Sequence, residues 1–410
     1  MNGEIRLAPT AMVAGGAALA RDETGRVVFV EGALPGEIVT ARLTETRGDF
    51  ARATAVDILE PSPERVFPPC PALAAGCGGC SWQHIAPAAQ VRLKADIVVD
   101  ALRRIGHLRE PPEPGVVALV GPALRTTARL AVSPGGRAGY RPRGVPGEAV
   151  ETGSCLAAHA LVEELIVAGR FPAAAEVLLR AGVASGERLV RVSPAGVADR
   201  AQVPAGVVVI GEGARGASVH ETVAGRPFRI SADSFFQSGP VAAEGLIAAV
   251  LDALGSVPEG GHVVDAYAGV GLFASVTGAR LKARVTAIET GRSAVADARV
   301  NLADVDARVL SLDVGRWGPR RGDHPIEAVI ADPPRSGLGR SGAAAVVGAR
   351  ASRIVLVSCD PASLGRDTTL LRRAGYHLAS VALIDAFPHT PHVETVSRFD
   401  SGADESVASG

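Results

Sequence analysis

Apolar and polar positions change rhythm twice along the chain. In the first 60 residues, short strand-like runs at 27–30, 37–41 and 53–59 are separated by Gly25, Pro35-Gly36 and Gly48. Such spacing predicts a small β-barrel over residues 1–62. Pro61, Pro63, Pro68 and Pro69 then mark a linker. Residues 63–229 are mixed: helices are predicted over 91–105 and 161–182, and strands over 124–132, 139–143, 188–192 and 206–210. That order predicts a central α+β domain. From about residue 240 apolar strands (262–266, 284–289, 326–332, 353–358, 376–384) alternate with helical stretches such as 292–302 and 363–374. Alternation of this kind implies an α/β domain over 230–400, with a parallel sheet covered on both faces. Residues 401–410 are small and polar and read as a disordered tail.

Composition narrows the class. The 410 residues are 47% hydrophobic and 21% charged, enough apolar material for several cores and too much for disorder. No apolar run is long enough to span a bilayer, and Glu4 and Arg6 interrupt the N-terminus where a signal would be apolar. The expectation is a soluble, cytoplasmic protein with no membrane partner and no obligate protein partner. The net charge of −1 excludes a chain basic all over, though not a local basic face. Of 42 basic residues only Lys94 and Lys282 are lysine, so arginine is the default cation of this chain. Five cysteines stand at Cys70, Cys77, Cys80, Cys155 and Cys359, and in a cytosolic chain that spacing points to metal or catalysis before disulfides.

The chemistry concentrates in the C-terminal half. Val263-Val264-Asp265-Ala266-Tyr267-Ala268-Gly269-Val270-Gly271 reads as a buried strand entering a glycine turn, the junction where doubly wound sheets bind an adenosine cofactor. Glu289 closes the next strand, suited to ribose hydroxyls. Ala274 stands where a third glycine would serve a pyrophosphate, which favours S-adenosylmethionine over NAD. Asp332-Pro333-Pro334-Arg335 follows another strand; with Arg335 rather than an aromatic in fourth place, the loop argues against methylation of a base amine. Cys359 ends a fourth strand. Four strands thus deliver polar or reactive residues to one sheet edge, which packing alone does not explain. A loop at 385–394 adds Asp385, His389, His392 and Glu394.

Taken in order, Asp265-x-Tyr-x-Gly-x-Gly, Asp332-Pro-Pro-Arg, Ser358-Cys359-Asp-Pro and Phe387-Pro-His-Thr-x-His-Val-Glu394, preceded by Phe235-Phe236-Gln237, resemble the RNA uracil-5 methyltransferase family. The resemblance implies a Rossmann-like class I methyltransferase domain and 5-methyluridine formation, with large-subunit ribosomal RNA as substrate. It implies Cys359 as nucleophile, Glu394 as base, and Gln237, Tyr267, Glu289, Asp313 and Asp332 as S-adenosylmethionine contacts. Two positions depart from the family pattern. Leu272 stands where several relatives have Asn, and Asp360 follows the nucleophile where many have Asn; a carboxylate there is expected to raise the thiol pKa.

Cys70, Cys77, Cys80 and Cys155 suit zinc or a [4Fe–4S] cluster, and their spacing does not choose. The run from Cys70 to Cys80-x-x-Gln83-His84 resembles the iron–sulfur loop of family members that modify ribosomal RNA, which favours the cluster. The N-terminal unit resembles a TRAM domain, an RNA-binding barrel, yet residues 1–60 hold six Arg against nine acidic residues. Between Arg103 and Arg143 there are eight Arg against Glu110 and Glu113. Arg125, Arg129, Arg137, Arg141 and Arg143 are therefore the expected RNA-backbone contacts, with Tyr140, Phe235 and Phe236 as candidates for base stacking. The competing expectations are a tRNA uracil-5 methyltransferase, an RNA cytosine-5 methyltransferase, and a non-catalytic iron–sulfur RNA-binding protein. Only Cys359 is available beside the base for the second, and intact Cys359 and Glu394 oppose the last.

Overall fold

The computed structural model of the protein describes residues 3–122, 124–143, 147–323 and 325–402. Its first unit is a six-stranded sheet built from β1 (Glu4–Leu7), β2 (Ala11–Met12), β3 (Ala18–Arg21), β4 (Val27–Glu31), β5 (Ile38–Thr46) and β6 (Phe50–Glu60), in the order β1-β5-β6-β4-β3-β2. Alternation produces its core: Val28, Val30, Val39, Ala41, Ala51 and Ala53 are fully buried on one face.

After the short helix α1 (Pro71–Ala74) and the long helix α2 (Pro87–Arg104), the chain forms β7 (Gly115–Val117). A five-stranded sheet follows from β8 (Thr127–Val132), β9 (Ala138–Gly139), β10 (Glu176–Ala181), β11 (Arg188–Ser193) and β12 (Val207–Gly211), ordered β12-β11-β10-β8-β9, with α3 (Ala160–Ala168) against it. The helix expected over 161–182 is thus only half right. Residues of β10 are the middle strand of this sheet, paired with both β8 and β11. Because β10 is buried at five consecutive positions, it lacks the alternation that marks a strand. The hairpin of β13 (Ser218–Val223) and β14 (Arg226–Ser231) leads into the last unit.

That unit contains α4 (Pro240–Leu254), β15 (His262–Ala266), α5 (Leu272–Leu281), β16 (Arg284–Glu289), α6 (Arg292–Asn301), β17 (Ala307–Ser311), β18 (Ile326–Ala331), α7 (Gly339–Gly348), β19 (Arg353–Ser358), α8 (Pro361–Arg373), β20 (Tyr376–Ile384) and β21 (Glu394–Ser401). The sheet order is β17-β16-β15-β18-β19-β21-β20-β7. β21 runs antiparallel to both neighbours, and the remaining pairings are parallel. Successive residues of β19 divide between two cores: Val355 and Val357 face α4, while Ile354 and Leu356 face α2, α7 and α8. Both faces are therefore covered, and only the strand ends are open to chemistry. Ser401 still belongs to β21; residues 403–410 of the expected tail lie outside the described residues. The first seven strands of the order are a doubly wound sheet with a reversed strand inserted. The eighth, β7, comes from the N-terminal half and docks beside β20.

Candidate functional site

Strand register builds the site. Ala266 pairs with Ile288 and Ala331, and Ala331 with Leu356, so the chain leaves β15, β16, β18 and β19 along one edge. Tyr267, Glu289, Asp332 and Cys359 are the residues that follow or end those strands. Ser358 of β19 lies opposite Thr395 of β21. In an antiparallel pair the next residues, Cys359 and Glu394, therefore emerge beside each other. A cavity of about 1340 Å³ gathers them: Cys359 and Glu394 line it together with Gln237, Tyr267, Glu289, Asp313 and Asp332. Every residue expected from the sequence to bind the cofactor, attack the base or take its proton opens onto this one space.

The cofactor end is set by backbone geometry. Tyr267 has φ +64 and Gly269 φ +55, and Gly271 (φ +89) starts α5 in the left-handed region. A side chain at Gly271 would both resist that angle and press on Leu302. Asp265, fully buried, accepts the Ala274 N–H at 2.8 Å and so caps α5 from the strand below. Its other oxygen has no partner among the described residues, and burial pushes its carboxyl up to about 8. The Glu289 carboxylate accepts N–H bonds from Gly269 (2.9 Å), Thr290 (2.7 Å) and Gly291 (2.6 Å). It is held in place with lone pairs to spare for hydroxyl donors. Asp313 caps a short turn through Gly315 N–H. Gln237 reaches over to donate to Asp332 at 3.3 Å. Gly342 of α7 leaves room for the Tyr267 hydroxyl, which a Cβ there would meet at 2.4 Å.

The reactive end is acidic and withdrawn from water. Burial raises Cys359 to about 11, with Glu394 and then Asp332 adding to the rise and Arg335 opposing it. Glu394, 4% exposed, is raised well above the usual carboxylate range by burial and then by Asp332. Burial also lifts Asp332 to about 7, against the bond from Gln237. Asp360, expected to oppose the thiol, has another job: its side chain accepts Ser363 N–H and caps α8. The acids facing Cys359 are Glu394 and Asp332. Leu272 is buried at the start of α5 and lines the cavity.

Arg335 and His392, both singled out with their loops, line the cavity too, as does Phe387, which packs edge-on to His392 with ring centres 5.9 Å apart. Arg215 and Arg292 carried no motif at all. Of the three expected stacking aromatics only Phe235 is free, 69% exposed at the cavity; Phe236 packs on Phe228, and Tyr140 bonds Arg125.

The basic face is largely spoken for. Arg125 turns inward, donating to Tyr140 Oη at 3.0 Å and Gly79 O at 3.1 Å. Arg129 pairs with Glu176 and Arg137 with Glu151. Arg143 ties Ser81, Gly15 O and Glu31 together. Arg141 alone of the five is exposed with no side-chain partner among the described residues. The sequence could not show this, since the partners of Arg125 and Arg143 lie 46 and 128 residues away.

Cys70, Cys77, Cys80 and Cys155 line a second, small pocket beside Tyr140, and all are reduced. Burial raises Cys77 and Cys155, with a further rise from Cys80 in both cases. Among the described residues no three His, Cys, Asp or Glu side chains converge closely enough to hold a single metal ion. No described helix is long and apolar enough to cross a membrane.

Comparison with known proteins gives a consistent result. Residues 14–56 match the TRAM domain model and residues 319–398 the model described as tRNA (Uracil-5-)-methyltransferase. An uncharacterized RNA methyltransferase of Streptomyces coelicolor is 38% identical, with 98% of this chain and 93% of that one covered. The 23S rRNA (uracil(1939)-C(5))-methyltransferase RlmD of Acidithiobacillus ferrooxidans is 34% identical over 94% of each chain. Its counterpart in Methylococcus capsulatus is 33% identical over 92% of each. Among solved structures, a Pyrococcus abyssi tRNA (uracil-54, C5)-methyltransferase crystallised with S-adenosyl-L-homocysteine superposes with TM-score 0.71 at 22% identity, covering 96% of this chain and 99% of that one.

Proposed function

Because the chain belongs to the S-adenosylmethionine-dependent RNA uracil-5 methyltransferase family, we propose that it makes 5-methyluridine in large-subunit ribosomal RNA, with Cys359 as nucleophile and Glu394 as base. The juxtaposition of Cys359 and Glu394 in the cavity that also holds Tyr267, Glu289 and Asp332 supports this most directly.

Uracil C5 is too weak a nucleophile to take a methyl group unaided. Addition of the Cys359 thiolate to C6 forms the C6–S bond and moves the C5=C6 electrons towards O4, giving an enolate. S-adenosylmethionine supplies the methyl group, its sulfonium sulfur keeping the S–CH3 bonding pair and leaving as the neutral thioether. The enolate forms the new C5–C bond, after which Glu394 takes the C5 proton and the C6–S bond breaks, freeing Cys359. Glu289 is assigned to the ribose hydroxyls, and Gln237, Tyr267, Asp313 and Asp332 to the rest of the donor. The target base must leave its stack to reach the thiol, and Phe235 at the cavity is placed to stack on it.

Ribosomal RNA is preferred because the relatives described as acting on it are 33–34% identical to this chain, against 22% for the tRNA enzyme that covers as much of it. We assign Cys70, Cys77, Cys80 and Cys155 to a [4Fe–4S] cluster. The run from Cys70 to Gln83-His84, similar to the iron–sulfur loop of family members that modify ribosomal RNA, favours the cluster over zinc. Bound there, the cluster would tie the loop of Cys70, Cys77 and Cys80 to the segment that carries Cys155, and methyl transfer needs no electron from it. Iron near four per chain after anaerobic purification supports this assignment; stoichiometric zinc overturns it.

The decisive test pairs two variants on unmodified large-subunit RNA. Cys359→Ala is expected to bind S-adenosylmethionine but form no 5-methyluridine by mass spectrometry. Glu394→Gln is expected to leave RNA covalently attached on a denaturing gel, since addition and methylation proceed but elimination stalls. Methylation by Cys359→Ala would sink the mechanism; methylation of tRNA in place of ribosomal RNA would move the substrate.

A further inference from the structure

One of the two lysines of this arginine-rich chain is fully buried. Lys94, on α2, is 0% exposed; its Nζ donates to Asp385 Oδ1 at 2.6 Å and to Phe387 O at 2.9 Å. One turn earlier, Gln90 is 1% exposed and grips the same loop at its other end. Its Oε1 accepts the His389 N–H at 2.7 Å, and its Nε2 lies 3.2 Å from His389 Nδ1. His389 has φ +62, a conformation that a non-glycine residue keeps only where its surroundings hold it. Trp82 adds a third grip, its backbone N–H donating to His389 O at 2.9 Å.

The gripped segment is the closing loop of β20 and β21. Ile384 pairs with Glu394, so the loop between them ends on Glu394, and Phe387 and His392 project from it into the cavity. Neither Lys94 nor Gln90 lines that cavity. We infer that Lys94 and Gln90 are positioning residues: through Asp385, Phe387 O and His389 they set where the loop delivers Glu394 beside Cys359. An ammonium suits this place better than a guanidinium, because a compact three-donor charge fits between a carboxylate and a carbonyl where a planar fork does not.

The inference rests on Glu394 being the base, and the test separates the two. Full-length Lys94→Met, Lys94→Met/Asp385→Asn and Gln90→Ala are compared with wild type and Glu394→Gln on transcribed large-subunit RNA. The measurements are kcat, the KM for S-adenosylmethionine, melting temperature and the fraction of enzyme trapped on RNA. In the double variant no charge is left unpaired, which keeps the test available if Lys94→Met folds poorly. Misplacement of a reacting group by about 1 Å costs on the order of 100-fold. Expected is a fall in kcat of about 10- to 100-fold with KM for the donor within about twofold, together with a larger trapped fraction than wild type. A trapped fraction equal to wild type in all three variants, while Glu394→Gln accumulates adduct, overturns the positioning role and leaves the base assignment standing. Absence of adduct from Glu394→Gln itself overturns the base assignment, and the inference with it.

Discussion

Cys359 sits among groups that hold its proton on. Burial, Glu394 and Asp332 all raise it, and Arg335 and a backbone hydrogen bond are on the other side of the balance. Alkylation of the free enzyme by iodoacetamide should therefore accelerate with pH up to about 11. Glu394→Gln should move that profile to lower pH and Arg335→Ala to higher; unchanged profiles in both would contradict the geometry. Asp265 carries a second pH signature. Its folded carboxyl lies near 8 against 3.8 for the free side chain, so the folded state binds the extra proton between those values. Its contribution to stability is present at low pH and is lost as pH rises through about 8. Thermal denaturation of Asp265→Asn from pH 5 to 8 should show a flatter decline than wild type, with the amide oxygen still able to accept Ala274 N–H.

At the scale of elements, the seat of Tyr267 depends on a glycine in α7. Alanine in a helix interior ordinarily gains up to about 1 kcal/mol over glycine. At Gly342, however, the added methyl would meet the Tyr267 hydroxyl at 2.4 Å. Gly342→Ala should weaken S-adenosylmethionine binding in calorimetry, and Gly342→Ala/Tyr267→Phe should recover part of it. β15, β16, β18 and β19 were legible because each is a short apolar run that delivers a polar residue at its end, as at Asp332 and Cys359, whereas β17 and β21 were given no range from the sequence. β10 was not, being buried on consecutive positions where strand and helix look alike. Nor was β7, whose three residues are short, largely exposed and flanked by Pro111, Pro112 and Pro114. Arg125 misled for a different reason: a charge count cannot tell a solvated arginine from one turned inward to a carbonyl far along the chain.

Across the whole molecule, RNA attraction cannot come from the six-stranded unit as a body, with nine acids to six arginines. Among the described residues it falls to cations without a side-chain partner, such as Arg215 and Arg292 at the cavity and the exposed Arg141 outside it. Arg141→Ala should weaken RNA binding and lower the slope of log affinity against log salt by about 0.7, the value for one phosphate contact on a single strand. Arg129→Ala, already paired with Glu176, should leave that slope unchanged in filter-binding titrations. Cohesion is distributed in the same cross-chain manner. Leu102 of α2 is fully buried in the core it shares with α7 and α8, so Leu102→Ala should cost about 2–5 kcal/mol in denaturant unfolding.

Since β7 zips onto β20, the catalytic half borrows its outermost strand from a segment more than 260 residues upstream. Severed near residue 230, it would lose that strand and the α2 layer together, exposing an unpaired rim and a bare apolar surface. The gene is therefore not a cassette from which the catalytic half can be lifted and grafted onto another RNA-binding module; recombination would have to carry the α2–β7 stretch along with it.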